Sequence, residues 1–238
     1  MADEKAGTTT GDGATAHGAS TCLVTGASGY IGGRLVPELL DAGYRVRCLA
    51  RTPRKLRDHP WAGRVEVVQG DVLDAASVAR AMEGVDVAYY LVHALGTGRG
   101  FERTDRDAAH VFGEQARRAD VRRLVYLGGL TPEGIPESQL SPHLRSRAEV
   151  GRILLDSSVP TAVLRAAVVI GSGSASFEML RYLTERLPVM VTPRWVHTRI
   201  QPIAVRDVLR VLVGCSTLPP MSAVPSTSAA RRCSPTGR

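Results

Sequence analysis

Short apolar runs and amphipathic stretches alternate along most of this chain. Cys22-Leu23-Val24 is apolar, and an amphipathic segment follows from Ile31 to Leu40. Arg45 to Ala50, Val65 to Gln69, Val85 to Val92, Arg123 to Leu127 and Ala162 to Ile170 read as further strands. Helical patterns lie between them: Pro53 to Asp58, Ala75 to Met82, Thr104 to Arg118 and Arg147 to Asp156. The strands are near-continuous apolar runs, as in a parallel sheet covered on both faces. The pattern predicts an α/β fold built on a doubly wound parallel sheet, with ligands at the carboxyl ends of the strands. Residues 21–214 hold no internal repeat, coiled coil or low-complexity linker. No apolar run is long enough to span a bilayer.

The two ends have a different texture. Residues 1–20 are rich in Gly, Thr and Ala and lack the apolar core of a secretion signal, so a disordered leader is expected. Residues 21–216 form the expected folded unit, and 217–238 an expected disordered tail. From Met221 onward no strand or helix period is visible. One DNA string able to encode this tail reads, two bases on, as V-S-R-A-F-D-I-G-G-P-E-V-L-T-Y-R-E-M. That string has a strand, a Gly-Gly-Pro turn and a helix start. The expectation is a single-base loss near Pro220 that leaves the substrate subdomain incomplete, with poor solubility and little turnover. The nucleotide sequence tests it.

Composition narrows the classes. The length of 238 residues suits one large α/β domain. The net charge of +7 raises nucleic acid as a partner. Yet lysine occurs only at Lys5 and Lys55, so arginine carries nearly all the basic charge, as GC-rich codons would dictate. Without residues 221–238 the balance is 27 basic against 23 acidic, or +4. The arginines are scattered, without aromatic interleaving, so no nucleic-acid groove is expected. Cys22, Cys48, Cys215 and Cys233 show no metal-like spacing, and no metal site is expected. Reduced thiols in a cytoplasmic protein are the plain reading.

The candidate chemistry begins at Gly26-Ala27-Ser28-Gly29-Tyr30-Ile31-Gly32, between the first strand and the first helix. Gly26 lets the chain turn off the strand. Gly29 lets a pyrophosphate approach the backbone. Gly32 lets the helix pack closely on the sheet. The positive helix end then faces the phosphates. The strand–turn–helix context makes this glycine spacing a strong dinucleotide-binding signal.

From about Thr21 to Ser216 the chain resembles the extended and atypical short-chain dehydrogenase/reductase superfamily. The resemblance is notably to the NmrA-like NAD(P)H-binding branch and its nucleoside-diphosphate-sugar epimerase relatives. Val24 to Gly32 is similar to that superfamily's glycine signature. Gly70-Asp71-Val72 resembles its adenine-side aspartate motif, and Leu91-Val92-His93 ends the strand that lines the cofactor there. Leu127-Gly128-Gly129 ends the strand where the family places a catalytic serine or threonine. Arg165 to Gly171 resembles the segment that closes over nicotinamide and substrate, and Ile203 to Val208 the late strand-to-helix motif. The resemblance implies a Rossmann fold, a nicotinamide dinucleotide and an unidentified small-molecule substrate. It implies an oxidoreductase or epimerase-like enzyme; the alternative is a non-catalytic NAD(P)H-binding sensor or assembly protein.

Arg51 directly follows the second strand, where NAD-binding proteins carry an acid for the ribose 2′-hydroxyl. With Arg54 and Lys55 nearby it suits the 2′-phosphate of NADP, so NADP is expected and NAD remains open. A solvated basic loop is the plainer alternative. Asp71 is read as a cofactor residue, with capping of a helix from Val72 to Met82 as its alternative. The superfamily's Tyr-x-x-x-Lys pair is missing: at Ser141 to Glu149 the matching positions hold His143 and Arg147. Histidine can exchange protons near neutral pH, while arginine stays charged. Gly129 and Leu130 supply no hydroxyl, although Thr131 is close. Catalytic candidates are therefore His143, Arg147 and His93, each histidine having a packing or surface role as its alternative. Gly171 to Glu178 reads either as a substrate-lining turn or as a helix cap by Ser174 or Ser176.

Overall fold

A computed structural model describes residues 20–93, 100–132, 134–186 and 201–218. The expected leader, Ser20 apart, and the tail from residue 219 lie outside the described residues, as does Cys233.

Six parallel strands form the main sheet. They are β1 (Thr21–Thr25), β2 (Arg45–Ala50), β3 (Glu66–Gln69), β4 (Val87–Tyr90), β5 (Arg123–Gly129) and β6 (Thr161–Ala166). Their order is β3-β2-β1-β4-β5-β6. Helices α1 (Gly32–Asp41), α2 (Ala75–Met82), α3 (Phe101–Arg118) and α4 (Pro142–Leu155) connect them. The chain runs outward from β1 to β3, then crosses to β4 on the other side of β1. This is the predicted doubly wound parallel sheet.

Side chains alternate between two cores, which is why the strands read as unbroken apolar runs. Cys22 and Val24 of β1, with Val87 and Tyr89 of β4, face Leu35 and Leu39 on α1. Leu23, Ala88 and Tyr90 face the other way, onto Val78, Phe112 and Leu154 of α2, α3 and α4. Burial pushes the Cys22 and Cys48 thiols up to about 12, so both stay protonated and inert at neutral pH.

One expected strand is two. Ala162 to Ile170 reads as a single run, but the chain leaves the main sheet after Ala166. β7 (Val168–Ile170) pairs instead with β8 (Pro202–Ala204), in parallel. α5 (Ala175–Arg186) follows β7, and α6 (Val205–Gly214) follows β8 and packs against α1. The helix-like segment expected from Pro53 to Asp58 is a short 3-10 turn, Pro53–Leu56. α4 starts earlier than its apolar pattern suggests: Ser141 caps it, with Oγ accepting from Leu144 N.

Helix α1 holds a proline in its interior, Pro37. Proline has no N–H, so the Gly33 carbonyl loses its intrahelical donor. The Trp61 indole supplies the replacement, with Nε1 donating to Gly33 O at 3.0 Å. Trp61 is buried and stacks on His59. Trp61→Phe keeps the aromatic bulk and removes the donor. The expected cost is about 1–2 kcal/mol, measured as a lower urea midpoint with an unchanged slope.

Candidate functional site

The glycine turn is tight for stated reasons. Gly26 has φ +76°, and a Cβ there would lie 2.7 Å from the Leu91 carbonyl oxygen. Gly29 N–H donates to Gly26 O at 2.9 Å, which closes the turn. Gly32 packs directly onto the Gly26 carbonyl and 2.9 Å separates its Cβ position from Ala27 Cα. α1 has no side-chain N-cap; Gly33 N–H donates to Gly29 O and Arg34 N–H to Ile31 O, so the turn's own carbonyls start the helix. Thr25 Oγ1 donates to Tyr89 O and accepts from Leu91 N. That links the ends of β1 and β4 where they part.

At this parting, the switch point of the sheet, lies a cavity of about 630 Å³. Gly26, Ser28, Gly29, Tyr30, Ile31 and Gly32 form its floor. Arg51, Thr52 and Lys55 line it beyond β2, and Asp71 and Val72 beyond β3. Val92 and His93 line it beyond β4. All ten residues assigned to a cofactor from the sequence therefore meet around one space. Arg54 is not in its wall.

Asp71 does not cap α2. Asp74 does, with Oδ1 accepting from Ala76 N and Oδ2 from Ser77 N. The helix begins three residues later than the alternative reading needs, because Asp71 closes its own turn by accepting from Leu73 N.

The catalytic candidates separate. His93 lies in the cavity wall. Arg147 reaches it from α4, with Nη2 donating to His93 Nε2 at 3.0 Å. His143 is exposed, stacks on Phe101 at 4.7 Å and is not in the cavity wall. Sequence reasoning missed Thr104, Asp105 and Ala108, which α3 adds to the wall. Asp105 is buried and accepts from Ser146 Oγ at 2.9 Å. An acid in the middle of an apolar helix face was the available signal.

The segment after β7 is tied to the glycine turn. Tyr30 OH and Arg34 Nη2 both donate to Ser172 O, at 3.2 and 2.9 Å. The Arg34 guanidinium also lies 4.0 Å over the Tyr30 ring. Gly173 N–H donates to Glu178 Oε1, and that bond is the first cause holding the Glu178 carboxyl below its usual range. Among the described residues no group of three or more His, Cys, Asp or Glu could hold a metal ion. No described helix is long and apolar enough to cross a membrane.

A family described as NAD(P)H-binding matches residues 26–169, more than half of the chain. The chain belongs to this NAD(P)H-binding family. The matched span covers the glycine turn, the switch point and every strand of the main sheet after β1. A 3 beta-hydroxysteroid dehydrogenase/Delta 5-->4-isomerase of Mycobacterium tuberculosis is 37% identical over 114 residues, 44% of this chain and 30% of that protein. A ceramide reductase of Caulobacter vibrioides is 31% identical over 212 residues, 84% of this chain and 62% of that protein. The chain thus spans less than two thirds of these curated relatives. Among solved structures, MoeE5 in complex with UDP-glucuronic acid and NAD superposes with a TM-score of 0.68 at 23% identity. That alignment covers 84% of this chain and 73% of MoeE5 and supports the Rossmann fold.

Proposed function

We propose that residues 21–216 form an NADPH-dependent oxidoreductase unit acting on a carbonyl or the matching alcohol. The observation that carries the cofactor choice is the β2 end of the cavity. Arg51 and Lys55 both line it, and among the described residues no carboxylate lines that end. The glycine turn and the α1 N-terminus would hold the pyrophosphate. Asp71, beyond β3, would stand on the adenine side, and Val92 beside the nicotinamide half. Two cations then flank the position of a ribose 2′-phosphate, which only NADP carries. MoeE5 holds NAD, but at 23% identity it speaks for the fold alone. The ceramide reductase and the hydroxysteroid dehydrogenase favour redox chemistry on a hydroxyl or carbonyl over sugar epimerisation.

Fluorescence titration with NADPH and NADH tests the cofactor. Arg51→Ala should weaken NADPH by about tenfold or more and leave NADH nearly unchanged, since a charged hydrogen bond contributes about 1.5–3 kcal/mol. Adding Lys55→Ala should weaken NADPH further. Equal wild-type affinities for the two nucleotides would overturn the NADP assignment. Oxidation of NADPH with a panel of aldehydes and ketones then tests turnover.

A second reading, a non-catalytic NAD(P)H sensor, draws on one observation. The residue at the family's tyrosine position, His143, stacks on Phe101 outside the cavity wall. Tight NADPH binding without turnover on any carbonyl would favour it.

A further inference from the structure

The arginines on the α3–α4 interface are nearly all neutralised. Arg145 pairs with Glu102 at 2.8 Å, and Arg152 with Glu137 at 3.0 Å. Arg106 reaches from α3 to Glu149 at 2.6 Å. Arg147 differs: among the described residues it has no carboxylate partner. Its guanidinium rests on His93 Nε2 instead. A guanidinium only donates, so Nε2 must accept, and His93 is neutral with its proton on Nδ1. Arg147 is half-buried, and its stem crosses the end of β5 at Gly129. A Cβ at Gly129 would stand 3.4 Å from Arg147 Cδ and 2.8 Å from Leu144 Cδ2. Gly129 makes room chiefly for Leu144, with the arginine stem in ordinary contact beside it. A cation with spare donors is thus held at the His93 edge of the cavity without an anion.

We propose that Arg147 and His93 form an oxyanion-docking site that takes a carboxylate or phosphoryl group of the substrate, and that His93 gains a proton when the anion binds. This rests on the reading above only in that the neighbouring volume holds the dinucleotide. The proton follows from linkage. His93 keeps an exposed face, yet the protein atoms on its other side partly desolvate the ring and Arg147 repels a proton, so its pKa lies below the usual histidine value. Asp105 on α3 and a backbone bond to Val92 act in the opposite sense, and His143 on α4 adds slightly to the depression. From β5, Tyr126 stays neutral and donates to the Arg147 carbonyl oxygen. An anion on Arg147 cancels that repulsion; the incoming proton goes to Nε2, which gives up its bond from Arg147 and donates to the anion instead, so the His93 pKa rises on binding. Affinity must then increase as the pH falls from 8 towards 6.

Calorimetric titration of the full chain with oxalate and with sulfate tests this. Chloride at matched ionic strength is the control, and each titration is run with and without saturating NADPH. Neither probe changes charge in this pH range. Oxalate binding points to a carboxylate-bearing substrate, and sulfate binding to a phosphoryl-bearing one. Proton uptake is read by repeating the titration in buffers of different ionisation enthalpy. Arg147→Gln should weaken the bound anion by about tenfold or more. His93→Gln keeps an acceptor for Arg147 and should abolish proton uptake and flatten the pH profile. Neither anion binding above chloride would overturn the proposal. So would unchanged binding in Arg147→Gln, or the same proton uptake in His93→Gln. If Arg147→Gln weakens NADPH but not the anion, the guanidinium serves the dinucleotide and the proposal fails. If the wild type binds oxalate as described but not NADPH, the cofactor assignment fails and the docking site stands. Should either variant misfold by circular dichroism, the wild-type pH profile and proton uptake decide alone.

Discussion

Gly32→Ala should abolish measurable NADPH binding, a loss on the order of 100-fold or more in affinity. The added methyl would enter the Gly26 carbonyl group and come within 2.9 Å of Ala27 Cα. Both obstacles are backbone, so no rotamer change relieves them. α1 must move off the turn, which carries the positive end of the helix away from the cavity. Overpacking of this kind costs about 1–3 kcal/mol of stability, and backbone contact places it at the upper end. Gly63→Ala is the matched control, because a Cβ there meets nothing within 4 Å. Fluorescence titration and urea unfolding of the two variants give the comparison. Near-native NADPH affinity in Gly32→Ala would mean that the turn does not carry the phosphates.

Phe112→Ala should produce the largest loss of stability, about 3–5 kcal/mol. The ring is fully buried on α3 and meets Tyr90 edge-to-face at 4.9 Å. Its removal opens a hole beneath the helix that brings Thr104, Asp105 and Ala108 to the cavity. The urea midpoint should fall steeply. Phe112→Leu, which keeps most of the volume, should recover much of the loss. NADPH should still bind the folded fraction, because the ring does not line the cavity. A midpoint shift of less than about 1 kcal/mol would show that α3 relaxes into the space.

The middle of the sheet was legible because β1 and β4 are buried on both faces, as the alternation of Leu23 against Cys22 and Val24 shows. The glycine turn was legible because its chemistry is local in sequence. Less visible was the break at Ala167, since an apolar run does not reveal that the chain changes partner from β5 to β8. The start of α4 was obscured by its run of polar residues before Arg147. Asp71 and Asp74 compete for one cap, and only hydrogen-bond geometry tells them apart. The meeting of His93 with Arg147 joins residues 54 apart in the chain. Nothing in either local sequence announces it. Asp105 did leave a local signal, an acid on an apolar helix face, but its bond from Ser146, 41 residues away, did not.

The central position of β1 has a consequence for how the chain folds. Thr21 pairs with Arg45, but Cys22 must also pair with Val87 on its other side. One neighbour of β1 thus arrives 24 residues later and the other 65 residues later. Parallel pairing across such separations is slow, because the intervening loop must close before any contact rewards it. During synthesis β1, β2 and β3 emerge with one flank of β1 open and apolar. The glycine turn has its ceiling, Leu91 and Val92, only after β4 joins. Dinucleotide binding should therefore appear late in refolding, in step with β4 docking, and excess NADPH should not hasten the earlier phases.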